Sequence, residues 1–115
     1  MKIVSWNIRG CNHPRKIRTL ARKIKKENPD ILFLQETKCS FETMIKIGQR
    51  IWKRSKVMAT DANGMKGGMA ILWQPKEVDL LEWRAGHFSL IAEFQILGSE
   101  IKGMIANIYG PSAFP

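Results

Sequence analysis

The sequence predicts an α/β fold in which helices layer against β-sheet. Two observations point to it. A short strand, a helix and a second, apolar strand follow one another within residues 2–34, the order that builds helix-on-sheet layers. After Lys56 the helical period gives way to short strand-like runs separated by Gly, Asn and Pro.

Residues 2–7 (KIVSWN) are rich in β-branched and aromatic side chains and Gly10 closes the run, so they read as a strand ending in a turn. Pro14 then suits the first turn of a helix, where its missing N–H is not required. Ile17, Leu20, Ala21 and Ile24 follow the i, i+3, i+4, i+7 spacing of one buried stripe. Arg15, Lys16, Arg18, Arg22, Lys23, Lys25 and Lys26 fall on the other faces. His13 reads as a local cap. Asn28-Pro29 ends the helix, because a residue before proline avoids the helical region.

Residues 31–34 form a continuous apolar run, as in a strand buried on both faces. Residues 40–53 read as a second helix whose buried face is Phe41, Met44, Ile45, Gly48, Ile51 and Trp52, with Gly48 counting against it. Strands follow at 57–60, 68–73, 78–83, 88–96 and 101–108. The breaks between them hold Asn63-Gly64, Gly67-Gly68, Gln74-Pro75, Gly86 and Gly98. Ser89, Ile91, Glu93 and Gln95 alternate with Leu90, Ala92, Phe94 and Ile96, which predicts one buried face. Residues 97–100 read as a hairpin connection, and 109–115 as a loop leaving a strand. Two helices are thin cover for so many strands, so the chain is expected to be cut short.

With 115 residues, the chain has room for one domain, spanning 1–115. Hydrophobic residues at 44% and charged residues at 25% give the profile of a soluble globular protein. No apolar run approaches the ~20 residues of a membrane-spanning helix. Ser5, Asn7 and Arg9 interrupt the apolar residues after Lys2, so no signal core forms. The expected location is intracellular, the nucleus included. Cys11 and Cys39 lack neighbours at metal-ligand spacing and read as two free thiols rather than a zinc site.

The net charge of +9 favours a polyanionic partner, because each cation near a phosphate releases condensed counterions. The basic helix supplies the candidate nucleic-acid contacts Arg15, Lys16, Arg18 and Arg22. A solvated helix face explains the same residues.

Asn7 stands where the first strand gives way to a turn, and Glu36 stands at the end of the second. If the two strands run side by side in parallel, both side chains project at one sheet edge, where open α/β sheets place their ligands. A carboxylate and an amide oxygen are hard ligands that suit Mg²⁺. Taken alone, a turn asparagine and a solvated glutamate account for the same pair.

SWNIRG, LFLQETK, GGMAILW and NIYGP occur in that order across essentially the whole chain. Together they resemble the endonuclease/exonuclease/phosphatase superfamily. The nearest resemblance is to the apurinic-endonuclease-like domain of LINE-type (non-LTR) retrotransposons, and GMKGGMAILW with the basic helix is similar to the plant branch. The resemblance implies the N-terminal half of a four-layer α/β sandwich, a truncated mixed β-sheet with flanking helices. It implies phosphodiester hydrolysis on DNA with Mg²⁺, or Mn²⁺, as cofactor. Glu36 would be the direct metal ligand. Asn7 would organise the metal and catalytic site through its amide. Tyr109 would be catalytic, hydrogen-bonding a phosphate oxygen near the scissile bond. Asn107 belongs to the same motif, but its side chain could equally point into the sheet. Implied partners are DNA and either the missing C-terminal half or a downstream reverse transcriptase.

Departures from the family pattern limit what the chain is expected to do. Arg9 stands where some relatives carry an acidic residue. Neither a GDFN-type segment, which orients the attacking water, nor an SDH-type segment with its His and Asp is present. His13 and His87 lie in no such motif, so the chain alone is expected to be inactive. The alternatives are a catalytically dead nucleic-acid-binding remnant, a poorly folding gene fragment, and a phosphatase of the same superfamily. Half of a sandwich should also leave one sheet face open to water, with Met69, Trp73, Trp83 and Met104 as its candidate lining.

Overall fold

The computed structural model describes residues 1–11, 13–60 and 67–109. The Asn63-Gly64 break and residues 110–115 lie outside them. The described elements run β1 (Ile3–Asn7), α1 (Pro14–Glu27), β2 (Ile31–Gln35), α2 (Phe41–Ile51), β3 (Lys56–Ala59), β4 (Met69–Trp73), β5 (Val78–Ala85), β6 (Ser89–Ile96) and β7 (Lys102–Ile108).

α1 begins and ends where its residues require. His13 caps it, its Nδ1 accepting from the Arg15 N–H at 3.1 Å, and Pro14 follows. Asn28 closes the helix in the left-handed region at φ 47°, donating its N–H to the Ile24 carbonyl. Lys25 and Lys26 in the last turn complement the negative end of the helix dipole. Ile17, Leu20 and Ile24 are buried, each contributing about 1.5–3 kcal/mol.

α2 is capped by Ser40, whose side chain accepts from the Thr43 N–H. Its buried stripe is Met44, Ile47, Gly48 and Ile51. That corrects the expected face: Ile47 joins it, whereas Phe41 is 39% exposed. Gly48 is there because the helix lies almost on β3. A Cβ at that position would sit 2.6 Å from Val57 Cγ2.

β1, β2, β4 and β3 form one mixed sheet in that order, β1 and β2 parallel and the remaining pairs antiparallel. β5, β6 and β7 form a second, antiparallel sheet, with β6 and β7 joined through Gly98 at φ 79°. Every residue of β2 and of β4 is buried, because both strands carry a layer on each face. On one face Leu32, Leu34, Ala70 and Leu72 pack with Ile17, Leu20 and Ile24 of α1 and Met44, Ile47 and Ile51 of α2. On the other, Ile31, Phe33, Ile71 and Trp73 meet Leu80, Leu90, Ala92 and Ile105 of the second sheet. The described chain is therefore three layers: helices, mixed sheet, antiparallel sheet.

This layering corrects the expected water-facing surface. Met69 and Trp73 are sealed between the two sheets, at 2% and 5% exposure. Trp83 and Met104 are open, at 59% and 64%. No helix among the described residues is long and apolar enough to cross a membrane.

Candidate metal and phosphate site

β1 and β2 pair in parallel with Asn7 opposite Gln35, so Asn7 and Glu36 emerge at the same sheet edge. The backbone there is tightly held. The Ile8, Gly10 and Cys11 N–H groups donate to the Gln35, Glu36 and Thr37 carbonyls at 3.0, 2.6 and 3.2 Å. Thr37 and Lys38 donate in turn to the Gly68 and Gly67 carbonyls, tying in the segment before β4.

Glu36 takes a left-handed conformation at φ 53°, as do Arg9 at 51° and Lys38 at 53°. A non-glycine residue there is uncommon, and the hydrogen bonds on both sides of Glu36 impose it. Gly67 packs directly behind: a Cβ on it would lie 3.5 Å from Glu36 Cα, and its own φ is 69°. In the sequence Gly67-Gly68 reads as a break between strands and as the start of the GGMAILW motif. The signal was present in the doubled glycine, but its target, the back of Glu36, is set by the fold.

Tyr109 follows β7 in the other sheet, its N–H donating to the Phe88 carbonyl at 2.9 Å. Its hydroxyl donates to Glu36 Oε1. That hydrogen bond, then partial burial and the carboxylate's charge, push the phenol above its ordinary range; the positive charge of Arg9 and a hydrogen bond from Asn7 oppose this. Asn7 Oδ1 also accepts from the Arg9 N–H at 3.3 Å. Asn7, Glu36 and Tyr109 thus converge, with the Arg9 cation beside them.

Asn107 points inward. It is fully buried, its Nδ2 donating to the carbonyls of Leu34 at 3.1 Å and Ala70 at 2.9 Å. Its Oδ1 accepts from Gln35 Nε2 at 2.7 Å, and the same Gln35 nitrogen donates to Ser5 Oγ at 2.8 Å.

The basic helix divides. Arg15, Arg18 and Arg22 are exposed, whereas Lys16 is half-buried and donates to the Ile8 carbonyl at 2.5 Å, bracing the turn after β1. Lys23 lies over the Trp6 ring, 5.4 Å from its centroid. His87 sits against Phe88, ring centroids 6.4 Å apart.

The donor set is one carboxylate and one amide oxygen. Among the described residues no group of three or more His, Cys, Asp or Glu side chains could hold a metal ion. Such a set fits Mg²⁺, which binds through one or two carboxylates and keeps several waters. It does not fit zinc, which needs four protein ligands in a structural site or three in a catalytic one. Cys11 and Cys39 are free, buried, and 3.6 Å apart at their sulfurs.

The model of the Endonuclease/Exonuclease/phosphatase family matches residues 4–91. No curated protein matches the chain. Among solved structures, the chain is similar to D. rerio TDP2 complexed with a single-strand DNA product, at TM-score 0.69 and 18% identity over 98% of this chain and 48% of that one. The Xenopus laevis APE2 catalytic domain gives TM-score 0.70 and 20% identity, covering 100% of this chain and 46% of that one. The AP endonuclease LMAP from Leishmania major gives 0.70 and 17%, covering 94% and 39%. The chain therefore spans less than half the length of these structures. At such identities the likeness speaks for the fold.

Proposed function

The chain belongs to the endonuclease/exonuclease/phosphatase family, and we propose that it carries the metal-binding and phosphate-contacting half of a Mg²⁺-dependent DNA endonuclease site. The observation that carries this reading is the convergence of Asn7, Glu36 and Tyr109 from two sheets onto one edge.

In this reading Glu36 is the direct ligand and Asn7 orients the site through its amide. Mg²⁺, or Mn²⁺, when bound supplies charge stabilisation at the phosphate and the leaving oxygen. The Tyr109 hydroxyl, held at Glu36, turns to donate to a non-bridging phosphate oxygen. Arg9 adds positive charge on the same rim. DNA is favoured as substrate by the net charge of +9 and by the exposed Arg15, Arg18 and Arg22. The DNA product held by the TDP2 structure supports it by analogy. The wording SWNIRG, QETK, GGMAILW and NIYGP supports an origin in a LINE-type retrotransposon of the plant branch. A reverse transcriptase would then be a downstream partner.

No motif in the sequence supplies a residue to position or deprotonate the attacking water, which must lie within about 3 Å of its base. We therefore infer that it does not turn over alone and needs the remaining half of the domain. The test is nicking of supercoiled plasmid with Mg²⁺, beside an EDTA control and Glu36→Ala. The expected result is no nicking by a well-folded sample. Nicking that requires both Mg²⁺ and Glu36 would overturn the inferred incompleteness. In parallel, Mg²⁺ should raise the Tm of the wild type and not of Glu36→Gln; an equal response in both would remove Glu36 as ligand.

A further inference from the structure

Glu36 and Tyr109 meet although they come from different sheets, so something must fix how one sheet is placed over the other. Apolar packing brings the sheets together, but it is non-directional and sets spacing better than register. The layer between them is Ile31, Phe33, Ile71, Leu80, Leu90 and their neighbours, all apolar.

Asn107 is the polar exception on the β7 side. A side-chain amide offers donors and an acceptor of fixed direction. Asn107 uses them on three groups of the mixed sheet: the Leu34 carbonyl in β2, the Ala70 carbonyl in β4 and the Gln35 side chain. Leu34 and Ala70 are register partners across β2 and β4, so the Asn107 amide clips onto that pair. Gln35 carries the link to Ser5 in β1. The positions repeat those of the site one step back along each strand. Asn107 is two residues before Tyr109, Leu34 two before Glu36, and Ser5 two before Asn7.

We propose that Asn107 and Gln35 are positioning residues whose buried network sets the register between the two sheets and thereby holds Tyr109 against the Glu36 carboxylate. Shifting β7 relative to β2 would break directional hydrogen bonds in a buried layer and leave amide and carbonyl groups unpaired there, whereas apolar contacts carry no such directional constraint. The functional meaning of the network rests on the endonuclease reading, whereas its geometric claim does not.

Tyr109 is the single tyrosine of the chain, so its ring can be observed alone. The experiment is a ¹H–¹³C spectrum of protein labelled at the tyrosine ring. Glu36→Gln first defines the shift that reports separation of Tyr109 from the Glu36 carboxylate. Gln35→Met, an apolar replacement of similar length, and Asn107→Leu should each move the Tyr109 signal in the same direction. Gln35→Met combined with Glu36→Gln should add little to Glu36→Gln alone. Leu90→Ala, a cavity in the same interlayer core, should lower the Tm without moving the signal. If Asn107→Leu does not fold, Gln35→Met carries the test. A wild-type Tyr109 signal in folded Gln35→Met would overturn the proposal, as would an equal shift in Leu90→Ala. Adding Mn²⁺ separates the two claims: failure to broaden the wild-type Tyr109 signal would refute the metal reading and leave the positioning result standing.

Discussion

The Tyr109 hydroxyl donates to Glu36 Oε1 across 73 positions of sequence and between two different sheets. A phenol held on a carboxylate keeps its proton, because ionising it would set two negative charges side by side. The same hydrogen bond closes the candidate site, so its integrity can be read from one residue.

The phenol of Tyr109 titrates above the ordinary value of 10.0, chiefly through its hydrogen bond to Glu36. A raised folded-state value means that the folded protein holds this proton more tightly than the unfolded chain. The resulting stability is fully present below pH 10 and is lost as pH rises through the folded-state value. Ultraviolet difference titration at 295 nm reads the one tyrosine directly. Glu36→Gln should bring the midpoint down towards 10, and an unchanged midpoint would show that the hydrogen bond is not kept in solution.

Cys11 is pushed up to about 12, first by burial and then by the neighbouring Cys39. The thiolate is the reactive form, so Cys11 should not react with an aromatic disulfide reagent at neutral pH until the chain is unfolded. The sign matches that of Tyr109: the contribution of Cys11 is intact below about pH 9, its ordinary value being 9.0, and drains away towards 12. Thermal melts between pH 8 and 11 should show Tm falling, and Cys11→Ala should flatten that fall.

Gly48→Ala should destabilise the fold despite the better helix propensity of alanine. The propensity gain is about 0.5–1 kcal/mol. Against it stands a Cβ 2.6 Å from Val57 Cγ2 and 3.3 Å from Leu72 Cδ2, and overpacking costs about 1–3 kcal/mol. The expected net loss is about 1 kcal/mol in urea unfolding, the difference between the middles of the two ranges. A gain in stability would mean that α2 sits further from β3 than described.

The two kinds of cation on α1 should separate in DNA binding. Replacing Arg18 or Arg22 by alanine should reduce the slope of log K against log salt by about 0.9 for each phosphate no longer neutralised, with Tm unchanged. Lys16→Ala should instead lower Tm, since its ammonium braces the Ile8 carbonyl. Slopes that do not change in either arginine variant would exclude α1 as the DNA-binding surface.

Local signals were enough to find the elements. The Ile17–Leu20–Ile24 stripe, Pro14 at the helix start and Asn28-Pro29 at its end placed α1, and the apolar runs placed β2 and β4. Asn7 and Glu36 were legible as a pair because parallel neighbours end at the same edge, a relation that one strand–helix–strand unit nearly dictates.

Other features were decided only by the tertiary structure. Phe41 and Ile47 both fit an amphipathic α2, and the stripe that is buried depends on where the sheet lies beneath the helix. Met69 and Trp73 read as open in a half-sandwich, but the second sheet covers them because β5, β6 and β7 fold back over β2 and β4. Asn107 had two readings, and it turns inward because the Leu34 and Ala70 carbonyls and the Gln35 amide lie there to satisfy it. By itself the sequence determined which residues form each element, since periodicity, caps and turns are short-range. Only the tertiary structure brought Tyr109 to Glu36, because that meeting depends on the stacking of two sheets, which no local pattern encodes.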